Sequence, residues 1–393
     1  MNRKNEQINL VLKLMMALLF MLGVIVFSYP FVVDTINNYY DQQMIEKLQV
    51  ENQVKFQEAQ ASELAQMAQE NEQLRTQKKL NLPGIGLMED PFQEAEPKAD
   101  TTNQTYVEKS TVGAIYIPDI HVSLPLFDHT DSRLLNRGAT ILQGTSFPIG
   151  GASSHAVITG HSGLPNKMLF TDLEKLALED VFFIDIAGTH LAYQVDTIQT
   201  VLPNQIESLK IQKNKDLVTL VTCTPYMINT YRLLVTGHRI PYIETMTSQK
   251  AETEQYHKHR FYRLLLLGPL FLGLIFYWMW RKFVYYQSGK YRYDFQFKCC
   301  SLSEPLSFIL LDRKKRPVTQ DAQTISTTTN EAGGVIFSNL RGGTYWAQSE
   351  FLGKQILVKG YVYRLKNPYL TIRRSLKSSS RKAIVRVKRG RQS

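Results

Sequence analysis

The sequence predicts a mainly β protein, a small closed barrel set between two apolar helices and followed by a separate basic segment. Three observations carry this reading. From Gly113 to Thr236 the chain breaks into short runs of β-branched and aromatic residues, with Gly, Pro and Asn at the breaks, which is the pattern of many short strands closing on one another. Two other runs, within 8–33 and 264–280, are apolar for about the ~20 residues that cross a bilayer as a helix. The formal charge of +11 is unevenly placed, since residues 281–393 carry 23 Lys and Arg against 6 Asp and Glu. That excess sets the last segment apart from everything before it.

Taken in order, residues 1–36 read as a membrane anchor. Arg3, Lys4 and Lys13 lead an almost continuous apolar stretch from Leu14 to Phe27. Bulky Tyr29, Pro30 and Phe31 follow where a signal peptide would offer small residues, so an uncleaved anchor is expected. Between Tyr39 and Lys79 the composition turns to Gln, Glu, Ala, Leu and Met. Leu48, Phe56, Leu64, Met67 and Leu74 fall at helical intervals, which predicts a long amphipathic helix within a segment 37–104. Pro83, Gly84 and Gly86 end it, and the loop that follows holds Asp90-Pro91-Phe92, in which the ring of Pro91 fixes the backbone.

The barrel is placed in 105–250. Its runs include Gly113–Pro118, Val122–Phe127, Ala156–Thr159, Val181–Ile184, Ala192–Val195, Leu217–Thr222 and Leu233–Thr236, with short helices near Arg133–Asn136 and Phe170–Leu176. The most informative stretch is Leu217-Val218-Thr219-Leu220-Val221-Thr222-Cys223-Thr224-Pro225. An apolar run stops at a cysteine, turns, and returns as Tyr231-Arg232-Leu233-Leu234-Val235. Two adjacent strands would set Cys223 at a strand end with Arg232 beside it. A thiol acts as a nucleophile in its thiolate form, favoured by a nearby cation and base, and a guanidinium also offers donors for an oxyanion. The base is sought in Thr159-Gly160-His161-Ser162-Gly163, a Gly-bracketed turn. Cys299 and Cys300, the other cysteines, lie in the C-terminal segment, so Cys223 is read as a reactive thiol. No Gly-rich phosphate loop or clustered metal-ligand pattern occurs in 105–245; no metal, cofactor or nucleic-acid partner is expected.

Ile158-Thr159-Gly160-His161, Thr219-Leu220-Val221-Thr222-Cys223 and Arg232-Leu233-Leu234-Val235 resemble the three signatures of a sortase, in the chain order His, Cys, Arg. The resemblance covers about 105–245. Asp90-Pro91-Phe92 and the second apolar run make it similar to the class C, pilin-polymerising branch of Gram-positive bacteria. It implies an eight-stranded barrel with an N-terminal helix and lid, two transmembrane helices and a C-terminal extension. His161, Cys223 and Arg232 would be catalytic, Thr222 would position substrate, and Asp90, Pro91 and Phe92 would form a lid over the thiol. The implied reaction cleaves a Leu-Pro-x-Thr-Gly-like sorting signal between Thr and Gly, forms a thioacyl enzyme and transfers it to a lysine of the next pilin subunit.

The second apolar run, placed at 261–282, ends in Trp278, Trp280, Arg281 and Lys282. Basic residues before the first helix and after the second predict that both termini are cytoplasmic and the barrel lies outside the cell membrane. In 283–393, Thr329 to Tyr345 resembles the end of a prealbumin-like β-sandwich repeat, so a β-rich fold is expected. Such repeats often carry an isopeptide bond assisted by a Glu four residues after the Tyr. Ser349 stands there, with Glu350 one further on, so no such bond is expected. Two alternatives stay open: a sortase that anchors proteins to a peptidoglycan precursor, and a non-enzymatic membrane scaffold at the base of a pilus.

Overall fold

The computed structural model describes residues 3–54, 57–76, 104–298, 305–320, 323–351 and 354–375. They divide into two compact units, Val24–Gly268 and Met1–Gly23 with Pro269–Ser393. Asp90, Pro91 and Phe92 lie outside the described residues, as do Cys299 and Cys300.

Helix α1 (Arg3–Val54) runs through Pro30, so the anchor and the first part of the amphipathic helix form one element with no break at residue 36. What changes along it is its surroundings. Phe20, Phe27 and Phe31 are exposed. From Asp34 onward one face is buried by protein, through Thr35, Asn38, Asp41, Gln42 and Ile45. Helix α2 (Gln57–Thr76) follows, and its Met67 enters the barrel's apolar core.

After α3 (Gln104–Ser110) come β1 (Thr111–Ile117), β2 (Val122–Phe127), α4 (Ser132–Leu135), β3 (Ala139–Ile141) and β4 (Ser154–Thr159). Then follow β5 (Val181–Ile186), β6 (Thr189–Val201), β7 (Asp216–Thr224) and β8 (Tyr231–Ile240). These eight strands close in the order β1-β2-β3-β4-β7-β8-β6-β5. Strand β3 was not apparent in the sequence, being only three residues long, yet it joins β2 to β4. Where a helix was expected at Phe170–Leu176, a 3-10 turn covers Thr171–Lys175.

Strand β7 is buried almost throughout because it is covered on both faces. Its alternate side chains divide as a pleated strand requires. Val218 and Leu220 point into the barrel with Ile115, Ile158 and Tyr193. Val221 joins Val157, Leu234, Leu142 and Leu209 in a second cluster on the other face.

Helix α5 (Glu244–Ser288) begins within the segment assigned to the barrel and carries the second apolar run, whose Leu265–Leu267 and Leu270–Leu272 are exposed. With α1 it makes, among the described residues, two helices long and apolar enough to cross a membrane.

The C-terminal segment is a β-sandwich, as its repeat-like sequence suggested. Its strands are β9 (Arg292–Lys298), β10 (Ser307–Leu311), β11 (Thr319–Gln320), β12 (Gln323–Thr324), β13 (Ser326–Thr328), β14 (Gly334–Arg341), β15 (Thr344–Phe351), β16 (Lys354–Tyr361) and β17 (Thr371–Ser375). A five-stranded sheet, β13-β10-β15-β16-β17, and the β9–β14 ribbon enclose a core that includes Phe295, Phe297, Phe308, Phe337 and Val358. Ser349, where the repeat would have Glu, is buried.

Candidate functional site

The site is built by three neighbouring strands, β4, β7 and β8, at one end of the barrel. β7 and β8 are antiparallel, and their register makes Cys223 and Arg232 direct partners. Such pairs hold their Cβ atoms about 5 Å apart. On β8, Leu234 shares the face of Arg232; on β7, Val221 shares the face of Cys223; both belong to the second apolar cluster. The nine-residue spacing in the sequence therefore becomes a contact across a hairpin.

His161 arrives from the other side. β4 runs parallel to β7, with Val157 opposite Thr219 and Thr159 opposite Val221. The amide of Gly160 carries that pairing one residue further by donating to the Val221 carbonyl at 3.0 Å. His161 follows directly, in a turn that the Ser162–Cys223 hydrogen bond holds against the end of β7. Cys223 on β7, Arg232 on β8 and His161 in the turn after β4 thus lie at one end of the barrel. Cys223, Arg232 and His161 are 4%, 5% and 6% exposed, an enclosure that strengthens electrostatic interactions among them.

Reciprocal hydrogen bonds fix the two turns. Thr222 Oγ1 donates to the Gly160 carbonyl at 2.7 Å, and Ser162 Oγ donates to the Cys223 carbonyl at 2.7 Å. Thr222 is buried, and what its hydroxyl positions is the turn that carries His161. Phe170 donates its amide to the His161 carbonyl at 3.0 Å and lays its ring on Gly160. A Cβ at Gly160 would come within 2.6 Å of that ring, so the close approach requires glycine here. Arg232 is held on its own side by Nη1 donating to the carbonyls of Asn229 and Tyr231, each at 3.0 Å.

The loop that follows His161 is tied to α1. Asp34 Oδ1 accepts the amide of Met168 at 3.0 Å, and Asn37 donates to the Asn166 carbonyl at 2.9 Å. Lys167 Nζ donates to both carboxylate oxygens of Asp41 and to the Arg137 carbonyl. Asp34 also pairs with Arg260 of α5 at 2.9 Å, and Tyr39 stacks on Phe261 with ring centroids 4.1 Å apart. None of these contacts was legible in the sequence, because nothing local marks Asp41 or Lys167 as partners. Ser162 was missed for the same reason.

Burial lowers the pKa of His161 to about 4, so its imidazole is neutral at neutral pH and can accept a proton. His155 is also buried and shifted down by burial, but its two ring nitrogens lie against Thr219 Oγ1 and the Lys210 carbonyl, which marks a structural role within β4. Among the described residues no group of three or more His, Cys, Asp or Glu is arranged to hold a metal ion. A buried thiol, a neutral imidazole and a fixed guanidinium at one end of the barrel can perform acyl transfer through a covalent thioester.

Comparison with known proteins agrees with this chemistry. Residues 115–240 match the sortase domain family. Sortase A of Bacillus anthracis is 27% identical over 140 residues, covering 35% of this chain and 64% of the relative, so the chain spans somewhat under two thirds of that curated relative. Among solved structures, sortase C1 of Streptococcus agalactiae is 38% identical, with 49% of this chain and 96% of that one covered and a TM-score of 0.43. Sortase C-1 of Streptococcus pneumoniae is 40% identical, with 51% and 100% covered and a TM-score of 0.43.

Proposed function

Residues 115–240 carry a sortase domain, and from that premise we propose that the chain is a membrane-anchored cysteine transpeptidase that joins pilin subunits. The observation that supports this reading is the direct pairing of Cys223 with Arg232 across β7 and β8, with the turn that carries His161 bonded to the end of β7. The pilin substrate is supported by the 38% and 40% identity to sortase C1 chains.

The neutral imidazole of His161 takes the thiol proton as Cys223 Sγ attacks the Thr carbonyl carbon of a Leu-Pro-x-Thr-Gly-like signal. Arg232 stabilises the negative charge that develops on the carbonyl oxygen. A C–S bond forms, the C–N bond to Gly breaks, and His161 returns the proton to the leaving amine. A pilin lysine then attacks the thioester; its proton passes to His161 and on to the departing sulfur, leaving an isopeptide bond and a regenerated thiol. Thr222 and Ser162 hold the two turns in register during both steps. Asp90, Pro91 and Phe92 serve in this reading as a lid on the thiol. Helices α1 and α5 cross the membrane, both termini are cytoplasmic, and the barrel faces outward.

The test incubates the detergent-solubilised full chain, wild type and Cys223→Ala, with a pilin bearing the sorting signal. Lysine-joined ladders that require Cys223 support the reading. Cys223-dependent transfer to a peptidoglycan-type amine without ladders replaces it with wall anchoring, and ladders from Cys223→Ala refute the chemistry.

A further inference from the structure

The β-sandwich is not hung on a linker. Three residues separate the end of α5 from the start of β9, and Val284 of the helix belongs to the sandwich core. Arg281 donates to the carbonyls of Tyr363 and Val362 at 3.3 and 3.2 Å. A Cβ at Gly342 would lie 2.0 Å from the Ser288 carbonyl oxygen, so the chain there packs directly against the helix end. The sandwich is therefore seated on the last turns of a helix whose apolar run has just ended.

The strand directions decide what that end displays. β10, β15, β16 and β17 are successively antiparallel. The loops after β10 and after β16 accordingly emerge at the same end of the sheet. Arg313 lies over the ring of Tyr285 at 5.8 Å, which places the first loop at the helix. Tyr363 lies against Trp280, with ring centroids 6.4 Å apart, which places the second where the apolar run stops. Exposed Lys290, Arg313, Lys314, Lys315, Arg364 and Lys366 are gathered here, and Asp312 in the same loop is paired with Arg316 at 3.1 Å. The exposed acids Glu331 and Glu350 fall at the opposite end, before β14 and at the close of β15. Lys298 is also exposed at that opposite end, so the positive charge of the described residues is concentrated at the end toward the helix without being confined to it.

We propose that this end of the sandwich is a docking surface for the anionic lipid headgroups of the membrane that α5 crosses. It rests on the reading of α5 as a span and is independent of the catalytic chemistry. Tyr363 and Trp280 would form an interfacial aromatic pair contributed by two elements, and the basic loops would lie within reach of the phosphates. Binding of this kind is electrostatic and weakens with salt.

The test places the full chain in nanodiscs of phosphatidylcholine alone and of phosphatidylcholine with phosphatidylglycerol, and follows hydrogen exchange. Residues 312–317 and 361–366 are expected to exchange about tenfold more slowly, or more, with the anionic lipid. The difference should disappear at high salt and in the variant Lys314→Glu, Lys315→Glu, Arg364→Glu, Lys366→Glu. Unchanged exchange in β14–β16 shows that this variant is folded, and protection of 264–280 in both lipids checks the span separately. Equal exchange of the two loops in both lipids overturns the proposal. So does protection indifferent to salt and charge reversal, or protection seen only in native membranes, which would point to an acidic protein.

Discussion

The ammonium of Lys167 lies 2.8 and 2.7 Å from the two carboxylate oxygens of Asp41, joining positions 126 residues apart in a setting almost closed to solvent. Burial pushes the Asp41 carboxyl upward, while the Lys167 charge pulls the other way. The pair fastens the loop after His161 to α1. The turn that bears His161 is thus positioned partly by α1.

Lys167→Met strands a buried carboxylate, and should lower unfolding free energy by about 3–5 kcal/mol in denaturant titration. Adding Asp41→Leu removes the stranded charge and should restore most of that loss. The double variant should still turn over more slowly than wild type at equal folded fraction. Wild-type turnover in the double variant would reduce the pair to a structural role.

Gly160→Ala drives a methyl group into the Phe170 ring, at contacts of 2.6 to 3.0 Å. The expected loss is about 1–3 kcal/mol, with kcat falling further than stability alone explains, because the turn bearing His161 moves. Phe170→Leu in the same chain should relieve the crowding and recover part of the rate. Thermal melts and steady-state assays on the single and double variants test this.

Burial holds His161 near 4, below the ordinary histidine value of about 6.5, so the folded protein resists a proton that the unfolded chain accepts. Stability from this group is undiminished above about pH 6.5 and declines as pH falls toward 4, a loss of about 3 kcal/mol in all. Replacing His161 by Gln should flatten that part of the stability–pH curve measured in denaturant. An unchanged slope would assign the acid sensitivity to His155 and His257, which burial also shifts downward.

Asp90→Ala combined with Phe92→Ala should speed modification of Cys223 by a soluble thiol reagent if these residues cover the thiol. The rate is followed by mass spectrometry against the wild-type chain. An identical rate removes the lid from the account.

Much of the site was legible because the local chain encodes it. Cys223 and Arg232 belong to one hairpin, and hairpin spacing converts directly into cross-strand pairing. The turn holding His161 was marked by its two flanking glycines, and one of them proves to be required by Phe170. What escaped depends on distant partners. β3 is three residues long, and its place is set by pairing with β2 and β4 rather than by propensity. The continuity of α1 from the apolar run to Val54 was not marked in the sequence, because the composition turns polar partway along one unbroken helix. Asp41 and Lys167 carry no local signal, since a charged residue on a helix or in a loop is ordinarily solvated.

The parallel pairing of β4 with β7 has a consequence for when the enzyme becomes reactive. Cys223 and Arg232 can meet as soon as a local hairpin forms, but the bonds that bring His161 alongside span 61 and 62 positions. Contacts of that range close late, after the loop entropy between them has been overcome. A chain still folding would carry its thiol and its cation without its base. Chemical competence then marks completed folding, which would guard an emerging polypeptide against forming stray thioesters before its barrel is whole.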